Sequence, residues 1–92
     1  MPSGWVRFQG QPGITIQVGD GLSPVGKTGD QNAFSAWQTS LLADTVFYAS
    51  NHSGSEAQLA HKWFDSEGKL LADTFTDIPI NGMRAIPASA NT

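Results

Sequence analysis

One stretch of this chain fits a catalytic pattern at every fixed position. Gly21-Leu22-Ser23-Pro24-Val25-Gly26-Lys27-Thr28 matches G-x-x-x-x-G-K-[ST]. In that pattern successive backbone N–H groups cradle phosphates, the Lys reaches the β and γ oxygens, and the Thr hydroxyl binds Mg²⁺. The strand-like run at residues 14–18 even precedes it. Three features argue against the chemistry. A helix must begin at the Lys-Thr pair, because its N-terminal amides hold the phosphate, yet Gly29-Asp30 follows at once. A phosphate cradle belongs to a parallel α/β sheet, whereas the rest of this chain reads as hairpins. No apolar strand ending in Asp follows to hold the metal, since Thr45-Val46-Phe47-Tyr48-Ala49 runs into Ser50. A surface loop is the expectation.

The remaining chemistry-bearing residues are sparse. His52 and His61 are conceivable metal ligands with Asp44 or Asp65, but strand-face histidines without a second clear ligand are mostly structural. Asp73 and Asp77 flank Phe75 and read as solvated turn residues. No G-x-S-x-G elbow accompanies the serines. With no Cys at all, disulfides, zinc–thiolate sites and Cys nucleophiles are excluded. Neither an enzyme nor a resident metal or cofactor is expected.

Length and charge narrow the classes further. The chain has 92 residues and a net charge of −3, which suits one domain over residues 1–92 with a small core. Charged residues make up 14%, against roughly 25% in an average domain. The basic residues Arg7, Lys27, Lys62, Lys69 and Arg84 are scattered, so the clustered phosphate neutralisation of a nucleic-acid binder is missing. No apolar run is long enough to span a membrane. The start Met1-Pro2-Ser3-Gly4-Trp5 has neither a basic nor an apolar leader region.

The elements that must carry any site are mostly short strands. Trp5-Val6-Arg7-Phe8 is a short apolar stretch, and Ile14, Ile16 and Val18 alternate as a half-buried strand. Residues 19–32 are rich in Gly, Pro and Asp and read as a long loop. Over residues 33–43, Phe34, Trp37 and Leu41 share one helical face, which favours a short helix or turn over a strand. Residues 44–50 are rich in β-formers. Residues 56–64 place Ala57, Leu59, His61 and Trp63 on one face. Asp65-Ser66-Glu67-Gly68 is a turn, followed by a strand over 69–75. Asn81-Gly82 joins Ile78-Pro79-Ile80 to residues 83–86 as a hairpin, with Pro79 confining it to an edge. Short strands separated by frequent turns predict a mainly β fold, a small antiparallel sandwich or barrel. The segment His61-Lys62-Trp63-Phe64-Asp65-Ser66-Glu67-Gly68-Lys69-Leu70-Leu71 resembles the Trp-bearing hairpin of immunoglobulin-like sandwich modules, which implies an immunoglobulin-like style of sandwich and no particular function.

Nine aromatic residues exceed what one small sheet face buries. Adjacent pairs, Phe47-Tyr48 and Trp63-Phe64, must point to opposite faces of a strand. The second face then needs another layer, a partner or a ligand. Without disulfides to support a small core, neighbours are the remaining route. The expectation is a structural or interaction subunit of a larger assembly, in overall style similar to small phage virion proteins such as head-decoration or tail-accessory subunits. Its partners would be capsid or tail proteins or further copies of itself. It would reside in a virion assembled in the host cytoplasm. The terminal segments 1–8 and 86–92 are the expected contacts, through Trp5, Phe8, Ile86 and Pro87, with the loop 19–32 as a second contact. The rival is a glycan-binding module, extracellular in setting, using Trp37, Gln38, Tyr48 and Asn51.

Overall fold

The computed structural model describes residues 2–19 and 23–92. They form eight strands and one short 3-10 turn: β1 (Ser3–Gln9), β2 (Ile14–Val18), β3 (Pro24–Lys27), β4 (Ala33–Gln38), β5 (Val46–Asn51), β6 (Ala57–Asp65), β7 (Leu70–Ile78), β8 (Met83–Pro87) and η1 (Ala88–Ala90). Two four-stranded antiparallel sheets pack face to face, the first in the order β4-β1-β6-β7 and the second β3-β2-β5-β8. The expected mainly β sandwich is therefore the fold.

The pairing is nested. Within residues 3–38, β2 pairs with β3 in the second sheet while β1 pairs with β4 in the first. Residues 46–87 repeat the path: β6 pairs with β7 in the first sheet while β5 pairs with β8 in the second. The halves join at the centre of each sheet, β1 against β6 and β2 against β5. Immunoglobulin domains order their strands ABED and CFG, so the resemblance of the 61–71 segment extends to its hairpin and buried Trp and not to the topology.

Three local expectations are corrected. Residues 33–38 are a strand, and only 40–43 turn, with the Ser40 N–H bonding the Ala43 carbonyl at 2.7 Å. The i, i+3, i+7 spacing of Phe34, Trp37 and Leu41 is real, but pairing with β1 overrides it: Trp37 points inward, Phe34 outward, and Leu41 lies beyond the strand. The loop 19–32 contains β3, which pairs with Thr15 through Lys27 and with Gln17 through Pro24 across a bulge. The Asn81-Gly82 turn is not a hairpin. It carries the chain from β7 at the edge of the first sheet to β8 at the edge of the second. Asn81 has φ 59°, and the Gly82 N–H returns to the Pro79 carbonyl at 2.9 Å, a turn that needs one left-handed residue and suits Asn.

The inward faces make one core of aromatic and branched side chains. Val6, Phe8, Ile14, Ile16, Phe47, Leu59, Trp63 and Ile78 are fully buried. Trp63 packs edge-on against Trp37, Phe47 and Phe8 with ring centroids 5.9–6.4 Å apart, the arrangement favoured by ring quadrupoles. The Trp37 indole N–H reaches under β1 to the carbonyls of Trp5 (3.1 Å) and Phe64 (3.0 Å). Gly4 lies in β1 beside this point, where a Cβ would collide with the Phe64 carbonyl.

Candidate functional site

Of the residues with catalytic potential, Thr28, His61, Asp44 and Asp65 are held in structural hydrogen bonds. Gly21 and Leu22, in the G-x-x-x-x-G-K-[ST] stretch, lie outside the described residues. Pro24–Lys27 of that stretch is strand β3, with Lys27 exposed at its end, and no helix follows it. Thr28 is buried, its N–H bonds the Ile14 carbonyl, and its hydroxyl donates to the Gln11 carbonyl at 2.6 Å. His52 is exposed in the turn after β5. His61 is 2% exposed. Its Nδ1 accepts the Trp63 indole N–H at 2.7 Å, and its Nε2 lies 2.9 Å from the Thr76 hydroxyl. The indole can only donate, so Nδ1 is bare and Nε2 carries the proton. Burial pushes the His61 pKa from 6.5 down to about 4. Asp44 accepts from the N–H and hydroxyl of Ser89. Asp65 accepts the N–H groups of Glu67 and Lys69 in its own turn. Among the described residues no three His or carboxylate side chains converge.

The expected contact residues divide. Trp5 is 36% exposed, whereas Phe8 is fully buried and Ile86 is 2% exposed; these two are core residues and present no side chain to a partner. Pro87 is half-buried at the start of η1. The terminal segments are integral to the fold. β1 is paired on both sides, and the tail is held by its own chain. The Asn91 amide donates to the Pro87 carbonyl at 2.8 Å and the Thr92 hydroxyl to the Ala88 carbonyl at 2.7 Å.

The glycan set also divides. Trp37 is 3% exposed and Asn51 fully buried. The Asn51 amide donates to the carbonyls of Ser55 (2.8 Å), Ile78 (3.1 Å) and Pro79 (3.3 Å), while its oxygen accepts the N–H and hydroxyl of Ser53. It ties β5 to the end of β7 and has nothing left for a ligand. Gln38 and Tyr48 do share a surface cleft of about 280 Å³ with Val18, Gly19, Thr45 and Val46.

The outer face of the first sheet gathers five of the exposed large apolar residues, Trp5, Phe34, Leu70, Leu71 and Phe75. Alternation sends Val6 and Trp63 inward and Trp5 and Phe64 outward, and register sets Ala36, Trp5, Phe64 and Leu70 side by side across four strands. Trp5 stacks on Phe64 at 4.0 Å with planes 10° apart, and Phe34 leans on it from the other side at 5.9 Å. Phe34 is 55% exposed, Leu70 48%, Leu71 41% and Phe75 58%. Between them lie Arg7, Lys62 and Asp73, the last two an ion pair at 3.7 Å. A β-rich outer face with large apolar residues in one row is unlike the polar outer face of most antiparallel sheets. The second outer face, with Thr15, Gln17, Tyr48, Ser50 and Ala85, follows that usual polar pattern more closely, with Met83 as its one strongly exposed large apolar residue among those described.

Leu41 and Leu42, at the tip of the turn from β4 to β5, project fully into solvent. Their turn is stiff: the Ser40 hydroxyl accepts from the Ala43 N–H at 3.0 Å, and the Thr45 N–H bonds the Gln38 carbonyl at 3.0 Å. The helical spacing expected for Leu41 does not hold here, and Leu42 carries no periodic signal. Asp73 and Asp77, expected as solvated turn residues, lie instead within β7, where period two sets them on the outer face with Leu71 and Phe75.

Comparison with known proteins gives no relative: no family model, no curated protein and no solved structure matches the chain.

Proposed function

We propose that this chain is a small structural or interaction subunit that docks on a protein partner within a larger assembly, through the outer face of its first sheet. The observation that carries this reading is the outward row of Trp5, half-buried Phe64 and exposed Leu70, extended by exposed Phe34, Leu71 and Phe75. Contiguous exposed apolar surface of this kind marks interfaces, and aromatic side chains are the residues that dominate interface energetics. Sugar stacking is less well served by the same residues. A pyranose needs an open ring face, and one face of Trp5 is taken by the parallel ring of Phe64, with Phe34 tilted against it at 5.9 Å. The setting that size and composition favour is a decoration or tail-accessory subunit of a phage particle.

The test is sedimentation of particles from the source culture, with the purified chain run alone as a mass standard. The wild type is expected in the particle fraction. The double variant Trp5→Ser with Leu70→Ser is expected to keep its near-UV circular dichroism and remain in the supernatant. A wild type that stays monomeric and absent from every particle fraction overturns the reading.

A further inference from the structure

We propose that the free edge of β7 accepts an extended segment of a partner protein as a fifth strand of the first sheet, a segment with basic side chains opposite Asp73 and Asp77 and an apolar one opposite Phe75. This deepens the interaction reading above and rests on it.

A sheet edge presents unpaired N–H and C=O groups, and proteins blunt such edges with short strands, bulges, Pro and Lys. Three of the four edges here are blunted. β3 has four residues, including Pro24 and Lys27, and pairs across a bulge. β8 has five residues, carries Arg84 and ends in Pro87. β4 packs beside β3 of the opposite sheet. β7 is different. It runs nine residues, Leu70–Ile78, with no Pro, Gly or Lys, and its register shift lies at its start, opposite Trp63 and Phe64, clear of residues 73–77. β6 pairs with it on one side, and among the described residues no strand pairs with it on the other. Its inward Thr74 and Thr76 are half-exposed, so the sandwich stands open along this edge.

The side chains indicate which strand fits. Asp73, Phe75 and Asp77 share the outer face at i, i+2 and i+4. On the β6 side, Lys62 lies 3.7 Å from Asp73 and the Gln58 amide donates to Asp77 at 3.2 Å. A strand added on the open side would set its own side chains directly opposite these residues. The complementary pattern is basic-x-apolar-x-basic. A second copy of β7 fits poorly: with Phe75 opposite Phe75, each Asp73 faces an Asp77, and every chain carries a net charge of −3. The same two acids that keep copies apart leave the edge open to a basic strand.

The experiment uses a fluorescent nine-residue peptide, Thr-Val-Lys-Thr-Leu-Thr-Lys-Val-Thr, its Lys→Glu counterpart, and two forms of the first, each N-methylated on one of its two alternate sets of backbone amides. Binding to the full chain is read by anisotropy. The Lys peptide is expected to bind saturably and about tenfold more tightly than the Glu peptide, because two cross-strand pairs change from opposite to like charge. N-methylation on the ladder-facing side is expected to abolish binding. The variant Asp73→Lys with Asp77→Lys, folded by circular dichroism, is expected to reverse the charge preference. Equal binding of both charged peptides, no saturable binding, or binding left unimpaired whichever set of alternate amides is methylated overturns the proposal. If the peptides fail while Trp5→Ser with Leu70→Ser still loses particle association, the edge reading falls and the assembly reading stands.

Discussion

The buried pair of His61 and Trp63 makes stability depend on pH in a way that can be worked from the geometry. The Trp63 indole donates to Nδ1 at 2.7 Å, so a proton added there would set two N–H groups against each other. Phe8 and the Thr76 hydroxyl complete the surroundings, with no carboxylate to favour the cation. The folded-state pKa is accordingly near 4, against 6.5 in the unfolded chain. The unfolded state therefore binds the proton first as the solution is acidified. Stability from this site is whole above pH 6.5, falls between 6.5 and 4, and levels off below. At about 1.4 kcal/mol per pH unit the loss reaches roughly 3 kcal/mol. That is a large fraction of the ~5–15 kcal/mol typical of a domain. Urea unfolding followed by tryptophan fluorescence at pH 8, 7, 6, 5 and 4 measures it, with His61→Gln as reference. The carboxylates titrate in both proteins, so the difference between the curves isolates His61. The wild-type curve is expected to fall about 3 kcal/mol further by pH 4. Parallel curves, or a His61 pKa near 6.5 by NMR, would refute the reasoning.

Three further outcomes are expected. Asn51→Ala removes an amide that serves three carbonyls and leaves the Ser53 N–H unpaired, so urea unfolding at pH 7 should show a loss of roughly 2–4 kcal/mol. Gly4→Ala forces a Cβ into the Phe64 carbonyl and should cost at least ~2 kcal/mol by strand displacement, seen as a lower melting temperature, whereas Gly68→Ala, with open space around it but φ 86°, should cost only ~1 kcal/mol. Mg-ATP and Mg-GTP should leave the melting temperatures of wild type and Lys27→Ala unchanged, because Lys27 and Thr28 extend from a strand; a shift that depends on Lys27 would reinstate the phosphate site.

Alternation made much of this fold readable. Ile14, Ile16 and Val18, and Ala57, Leu59, His61 and Trp63, declare their inward faces through period two alone, and each pair of adjacent aromatics splits across the sheet as strand geometry demands. What was hidden is what the partner strand decides. Residues 33–38 carry a helical spacing that loses to hydrogen bonding with β1. Asn81-Gly82 announces a tight turn, but whether the next strand returns beside the last or crosses to the other sheet depends on a pairing, β5 with β8, set far along the chain. Phe8 and Ile86 looked like terminal contact residues because position in the sequence says nothing of position in a sheet, and β1 turns out to be interior. The candidate surface was half visible: an excess of aromatics was countable, while their gathering in one row required the register across four strands.

The nested pairing also constrains how the chain reaches this state. The hairpins β2–β3 and β6–β7 close over short connections and can form on the microsecond scale. Neither is a stable object, since a lone two-stranded ribbon is marginal in water. The seams that hold the molecule together, Phe8 beside His61 and Ile16 beside Ala49, unite residues from opposite halves of the chain. Their loop-closure entropy must be met before either half is covered, which places folding in the slow, milliseconds-to-seconds class of all-β topologies. Each half contributes one interior strand to each sheet, so neither half possesses a complete hydrophobic layer. The chain folds as a whole or not at all, and the aromatic residues that finish in its core remain mutually dependent until the last seam closes.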